Sequence, residues 1–546
     1  MQRRAIVLAT LLFIVLACAT TYPIARFDHP QVPDADDSYF NVWRLSWVAY
    51  QLPRDPSAIF DANIFHPAKT TLAYSDAMLA LGVAGAPFIW LGVHPVVVHN
   101  LLILASFVTA ALGAFLLCRH LTGSTSAAIV GGLIFGFAPY RFAHIMHLEL
   151  LWTAPMPLAL LVLHRATQRD KAVRDGLMLG GLVALQAYCS LYYAAFLALF
   201  IGLWALLTLV FSGRLSGWSE RRRIGSCVAI GVAAALALTA PYGYVYYQAR
   251  QDVGARDPAE IQRYSAQPTD YLQPNPGNRF YRRPPHQVHE ERSLLPGMTA
   301  ALLAVVALVG RRDRVALLYG VLLVLAFDLS LGLNGLLYPI VSSSIPLLNS
   351  LRAPSRFSSL FLVSLSVLAA FGVAWIGRKL PSWGRIAIAS VVALACLVEY
   401  WSAPISVRVP ILRPPTVHRW LSTLRGAIVV EMPVPEPEKL WAYEPNFQYL
   451  SIYHWNRLVN GYSGYPSPEY LRTLNRLDDF PTAEGIARLR ELGVQYVVLH
   501  ERMYEGPEFV RIVNYLIASP DFSDPLTMPD AVDPVYVFPL RPGDGH

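Results

Sequence analysis

Long apolar runs separated by short polar breaks fill the chain up to about residue 401, and a mixed pattern follows. A bilayer core needs about 20 apolar residues per helix. Runs of this kind lie at roughly 5–22, 96–118, 126–140, 150–164, 175–190, 194–212, 224–242, 294–310, 315–332, 357–377 and 385–401. They predict about 11 transmembrane helices. Beyond them, three β-rich runs at 427–432, 494–499 and 535–538 alternate with helical periodicity at 416–425, 467–478, 482–492 and 506–518. Continuous apolar strands alternating with helices predict a small α/β domain. The expected fold is therefore a polytopic α-helical membrane protein with a small extracytoplasmic C-terminal α/β domain. The boundaries expected are 1–401, with long outer loops 23–76 and 243–293, and 402–546.

Residues 77–93 are apolar but carry Gly82, Gly85 and Pro87. Whether they cross sets the parity of everything downstream. Basic residues gather in cytoplasmic loops. If 77–93 does not cross, Arg3-Arg4, Arg119, 165–174, 214–223, 311–314 and 378–385 all fall inside, with about 17 Lys/Arg against about four acids. We therefore read 77–93 as re-entrant or interfacial. The N-terminus is then cytoplasmic, as in a bacterial inner-membrane protein. The polar loops 23–76, 140–149, 243–293, 333–356 and the C-terminal residues then lie on the opposite face. Val15-Leu-Ala-Cys18 faintly resembles a lipoprotein cleavage site, but an uncleaved first helix is the simpler reading.

Composition supports lipid as the solvent: 15% of residues are charged, against about 25% in soluble domains. The net charge of +7 comes from the short basic loops, so orientation in the membrane accounts for it. There is no basic domain and no nucleic-acid-binding motif. The five cysteines lie in or beside apolar segments, so neither a disulfide framework nor a zinc cluster of cysteines is implied.

Three constellations carry candidate chemistry. The first long loop contains Asp34-Ala-Asp36-Asp37-Ser-Tyr-Phe-Asn41. Clustered carboxylates repel one another, so they bind a cation, pair with arginine or hold a raised pKa. The bland alternative is a solvated turn in which an Asp caps a helix beginning at Ser38. The second is Pro139-Tyr-Arg141-Phe-Ala-His144-Ile-Met-His147-Leu-Glu149. On a helix, His144 and His147 share a side, and histidine plus carboxylate suits a divalent metal. The alternative is a polar interfacial turn. The third comprises Arg263, Arg279, Arg282, Arg283, Arg352 and Arg356. An arginine fork binds phosphate bidentately, while plain headgroup contact is the alternative. Tyrosines at 188–193 and 242–247 read as an interfacial aromatic belt.

Together these features resemble the GT-C superfamily of polytopic glycosyltransferases. That group includes oligosaccharyltransferases, protein O-mannosyltransferases and the transferases that add aminoarabinose to lipid A. Asp34-x-Asp36-Asp37 stands where the acidic motif of that superfamily stands. The chain is also similar to uncharacterised bacterial membrane proteins carrying Ser75-Asp76, Phe137-Ala-Pro-Tyr-Arg141, Arg352-Ala-Pro-Ser-Arg356 and Val459-Asn-Gly-Tyr-Ser-Gly464. GT-C enzymes usually show more than one acidic loop site, and here Glu149 is the only clear second acid.

The resemblance implies transfer of a sugar from a polyprenyl-phosphate donor to a protein, lipid or polysaccharide acceptor, usually with inversion. It makes Asp36 the general base, with Asp37 or Asp34 next. Arg352 and Arg356 stabilise the phosphate leaving group, and Arg282, Arg283, Arg141 and His144 join them as substrate-binding candidates. It also allows a divalent ion, Mg or Mn, held by Asp36, Glu149 and His147. The main rival is a lipid-linked sugar flippase or another transporter, and a further one is an inactive assembly partner. Transporters bury ionisable groups at the midplane, whereas this sequence concentrates them outside its apolar runs.

Overall fold

The structure, a computed structural model, describes residues 2–168, 171–212, 218–282, 290–311, 313–528 and 534–542. All 11 apolar segments are helical. Seven helices among the described residues are long and apolar enough to cross a bilayer: Arg3–Thr20, Pro95–Thr122, Thr125–Ala143, Leu191–Phe211, Ser219–Val253, Pro354–Lys379 and Ser382–Tyr400. The other four are Pro155–Gln168, Ala172–Cys189, Met298–Gly310 and Arg314–Ser330, with 14, 18, 13 and 17 residues. Two are shorter than a crossing needs, Arg314–Ser330 is at the lower limit, and Ala172–Cys189 carries Arg174 and Asp175 in its first turn. The chain is a polytopic α-helical membrane protein.

It folds as two compact units. The first comprises Met1–His29, Asn100–Pro241 and Ala255–Val407; the second comprises Pro30–His99, Tyr242–Gly254 and Arg408–His546. This division departs from a single boundary at 401. Residues of the first long loop share a core with residues beyond 408: Val32, Tyr39 and Val42 pack with Tyr449 and Leu450.

Within the first unit, the helix Ser358–Ile376 is buried over most of its length. Small residues let backbones approach closely between apolar helices. A Cβ on Gly372 would fall on the carbonyl of Leu303, in the helix Met298–Gly310. A Cβ on Gly310 would meet the Trp375 ring.

Within the second unit, the helix Asp37–Gln51 packs against Leu79–Trp90. A Cβ on Gly82 would come 2.6 Å from Val48 Cβ, so only glycine fits that crossing. Leu79–Trp90 has 12 residues. It is about 18 Å long, short of a core about 30 Å thick.

The C-terminal residues form a five-stranded sheet of β1 (Ile428–Met432), β2 (Arg457–Leu458), β3 (Tyr496–His500), β4 (Leu526–Met528) and β5 (Val535–Pro539). The order is β2-β1-β3-β5-β4. β1 runs parallel to β2 and β3, while β5 runs antiparallel to β3 and β4. β1, β3 and β5 are the three predicted strands. β2 and β4 are too short to show a periodicity. Val429, Val498, Val535 and Val537 build the core with Val417 and Leu421 of the helix Thr416–Leu421.

Candidate active site

The acidic run lies in the second unit, at the start of the helix Asp37–Gln51. Its three carboxylates have different environments. Asp34 Oδ1 accepts the backbone N–H of Ser38 at 2.8 Å. Asp37 Oδ1 accepts the hydroxyl of Tyr462 at 3.4 Å. Asp36 occupies the N-cap position, yet its side chain makes no capping bond. Its carboxyl is half-buried, and burial pushes its pKa up to about 6, with Asp34 and Asp37 adding to the rise. Arg408 opposes that rise. It is brought there by a backbone bridge in which Val32 and Arg408 exchange N–H···O bonds of 2.9 and 2.7 Å. A carboxyl near pKa 6 with no bond to its own helix is what a general base requires.

Aromatic rings line the same helix. Tyr39 stacks on Tyr449 at 4.5 Å, Phe40 stacks on Trp43 at 6.0 Å, and Tyr462 stands edge-on to Phe40 at 5.5 Å. Arg44 is buried over the Phe40 ring at 4.1 Å and donates to Asn41 and to the Asp76 carbonyl. The Ser75-Asp76 motif is pinned by Tyr246, whose hydroxyl donates to the Ser75 carbonyl at 2.8 Å and accepts from the Ala77 N–H at 2.8 Å.

The late motif at 459–464 reaches this site through a buried carboxyl that the sequence did not single out. Glu444 accepts from Asn460 Nδ2 at 3.1 Å, from Gly461 N–H at 2.8 Å and from the Tyr470 hydroxyl. Burial raises it to about 8, against those three donors. The backbone N–H of Tyr462 is bound by Gln448 Oε1 at 2.8 Å. A Cβ on Gly461 would meet the Phe65 ring at 2.8 Å, and one on Gly464 would meet Ser75 Oγ at 3.1 Å. Close packing therefore requires glycine at 461 and leaves little room for a side chain at 464. The sequence singles out this motif only by likeness. For Arg408 and Glu444 it offers no signal, because their partners are distant along the chain.

The other candidate residues lie in the first unit. Arg356 is buried and forms an ion pair with Glu291, its Nε donating to Oε2 at 3.1 Å and its Nη2 to Oε1. Glu291 also faces His144 Nε2 at 3.9 Å. Burial alone would raise Glu291; the cations outweigh it and hold the carboxylate well below its ordinary range. A phosphate at Arg356 would have to displace Glu291. Arg352 is partly exposed, lies over the Tyr264 ring at 5.3 Å and faces Glu260 only at 3.9 Å. Arg141 is buried, donating to Thr153 Oγ1 at 3.0 Å and the Leu151 carbonyl at 2.9 Å. His147 and Glu149 are buried. Arg282 is exposed at φ 44°, and Arg283 lies outside the described residues.

For a divalent ion, the acidic loop offers Asp36 with two neighbours already engaged by Ser38 and Tyr462. The other expected ligands, His147 and Glu149, belong to the first unit. Among the described residues, the group of three side chains close enough to hold an ion is His418, Glu431 and His454.

The fold is similar to those of two solved membrane glycosyltransferases. The chain superposes on the arabinofuranosyltransferase AftD from Mycobacteria with a TM-score of 0.65 at 17% identity, over 100% of this chain and 40% of that one. It superposes on ArnT from Cupriavidus metallidurans with a TM-score of 0.52 at 12% identity, over 96% and 97% of the two chains. The chain thus spans less than half the length of AftD. A family profile described as Domain of unknown function (DUF6311) matches residues 40–401, and the chain belongs to that family. No curated protein matches it in sequence.

Proposed function

We propose that this protein is a glycosyltransferase that moves a sugar from a polyprenyl-phosphate donor to an envelope acceptor on the outer face of the membrane. The carrying observation is Asp36: a half-buried carboxyl with no capping bond, raised to about 6, beside Arg408. The GT-C-like fold supports the same reading. In the reaction, the Asp36 carboxylate takes the proton of an acceptor hydroxyl as that oxygen attacks the anomeric carbon. The bond from the anomeric carbon to the phosphate oxygen breaks, and polyprenyl phosphate leaves with the electron pair. A single displacement inverts the anomeric centre. Cationic stabilisation favours the phosphate leaving group. Arg356 is better assigned to holding Glu291. No step is routed through a metal ion.

The test is release of free polyprenyl phosphate by purified protein, given a panel of polyprenyl-phosphate sugars and crude envelope acceptor. Wild type should release it, and a folded Asp36→Asn variant should lose the activity by roughly a hundredfold or more. Equal release by both removes Asp36 from the mechanism. No release from any donor favours the transporter or inactive-partner reading.

A further inference from the structure

A second cluster of ionisable side chains lies wholly within the second unit and has no part in the proposed transfer. His418 sits on the helix Thr416–Leu421, Glu431 on β1, and His454 just after the turn Ser451–Tyr453. Their relative exposures are 1%, 0% and 8%. One ligand atom from each lies within 4.8 Å of the other two. His418 Nδ1, Glu431 Oε1 and His454 Nε2 are each buried without a hydrogen-bond partner. Three buried ligating side chains this close together, each carrying an unsatisfied polar atom, form a place suited to a ligand, because buried polar groups are normally satisfied.

We propose that His418, Glu431 and His454 bind a divalent transition-metal ion of the zinc class, which clips the helix, the strand and the turn together. The donor set of two imidazoles and one carboxylate suits zinc, with water at the fourth position. A tetrahedral zinc ion spaces its ligand atoms about 3.4 Å apart, so the cluster contracts by at most about 1.4 Å on filling. Neighbouring residues position Glu431. His500 Nε2 bonds to Glu431 Oε2 at 2.6 Å, which leaves Oε1 without a hydrogen-bond partner. Such outer partners orient the ligands of metal sites. Asn460 fixes the Glu431 backbone from both sides, accepting its N–H at 2.7 Å and donating to its carbonyl at 3.0 Å. The His418 and His454 rings are stacked, with centroids 5.5 Å apart and planes 5° from parallel. Burial holds both imidazoles neutral, depressing each to about 3, and the neutral ring is the ligating form.

Ligation has one structural requirement. Asn456 N–H donates to His454 Nδ1 at 3.0 Å, so the metal-free ring carries its proton on Nε2. For Nε2 to take the ion, that proton moves to Nδ1 and the Asn456 contact opens. The competing occupant is a buried water, which matches the same donors and acceptors.

The experiment uses the full chain in detergent. It is stripped with chelator, reloaded with zinc alone, passed through gel filtration and analysed for metal by mass spectrometry. Wild type should retain about one zinc per chain, and His418→Gln and His454→Gln should each retain less than about a tenth of that. Wild type retaining less than a tenth, or variants retaining all of it, overturns the proposal in favour of the water. If neither variant folds, cobalt loaded into wild type decides. The strong visible bands of four-coordinate cobalt sustain the proposal; a weak six-coordinate spectrum, or none, overturns it.

Discussion

The carboxylate of Asp34 accepts the backbone N–H of Ser38 at 2.8 Å, two residues upstream of the N-cap position that Asp36 occupies. The helix dipole attracts negative charge at its start, and Asp34 supplies the bond that would otherwise fall to Asp36. The division of labour can be tested directly. Asp34→Ala should lower stability by about 1 kcal/mol, as loss of a cap does, while turnover per folded molecule changes much less than in Asp36→Asn. Denaturation curves and initial rates on the same preparations check this.

Activity should depend on pH through Asp36. Its pKa is raised to about 6, so the carboxylate is protonated and inert as a base below that value, and ionised above it. The rate should climb about tenfold per pH unit well below the midpoint and level off above it. Arg408 lowers the Asp36 pKa, so Arg408→Met should move the midpoint upward. A profile that stays put in that variant disconnects Arg408 from the base.

Arg356→Met should destabilise the protein by about 3–5 kcal/mol, because it leaves Glu291 charged and buried without its partner. Adding Glu291→Gln should recover most of that loss. A phosphate-binding Arg356 would instead show a raised donor KM with stability unchanged. Thermal unfolding of the single and double variants, set beside donor titrations, separates these outcomes.

Glu444 gives a stability effect of opposite sign to that of a salt-bridged acid. Its folded pKa, raised to about 8, exceeds the ordinary 4.5, so the native state holds the proton where the unfolded chain releases it. This contribution is fully present below pH 4.5 and fades as pH rises through 8. Glu444→Gln cannot titrate, so its melting temperature should fall less steeply than wild type's across that window. Parallel slopes would show that the native carboxyl ionises normally.

Much of the architecture was legible in the sequence because it is written in local period. Apolar runs mark helices, and Ile428–Met432, Tyr496–His500 and Val535–Pro539 are strands where β-rich runs predicted them. The membership of the second unit was not legible. Tyr39 finds Tyr449, and Asp37 finds Tyr462, across separations that no window on the chain covers. The acidic run was visible as chemistry; which of its three carboxylates caps and which is released depends on side-chain geometry that spacing does not encode. Arg356 looked available for the same reason, since its partner Glu291 lies 65 residues away.

The pairing of Asp37 with Tyr462 also sets a clock. The two lie 425 residues apart, and a ribosome adding roughly 5–20 residues per second needs about 20–85 s to make the stretch between them. The acidic loop therefore emerges well before the residues that complete it. Until the C-terminal residues arrive, Tyr39 and Val42 lack Tyr449 and Leu450 as a floor, and a nascent chain halted before residue 408 holds its carboxylates without the fold that differentiates them.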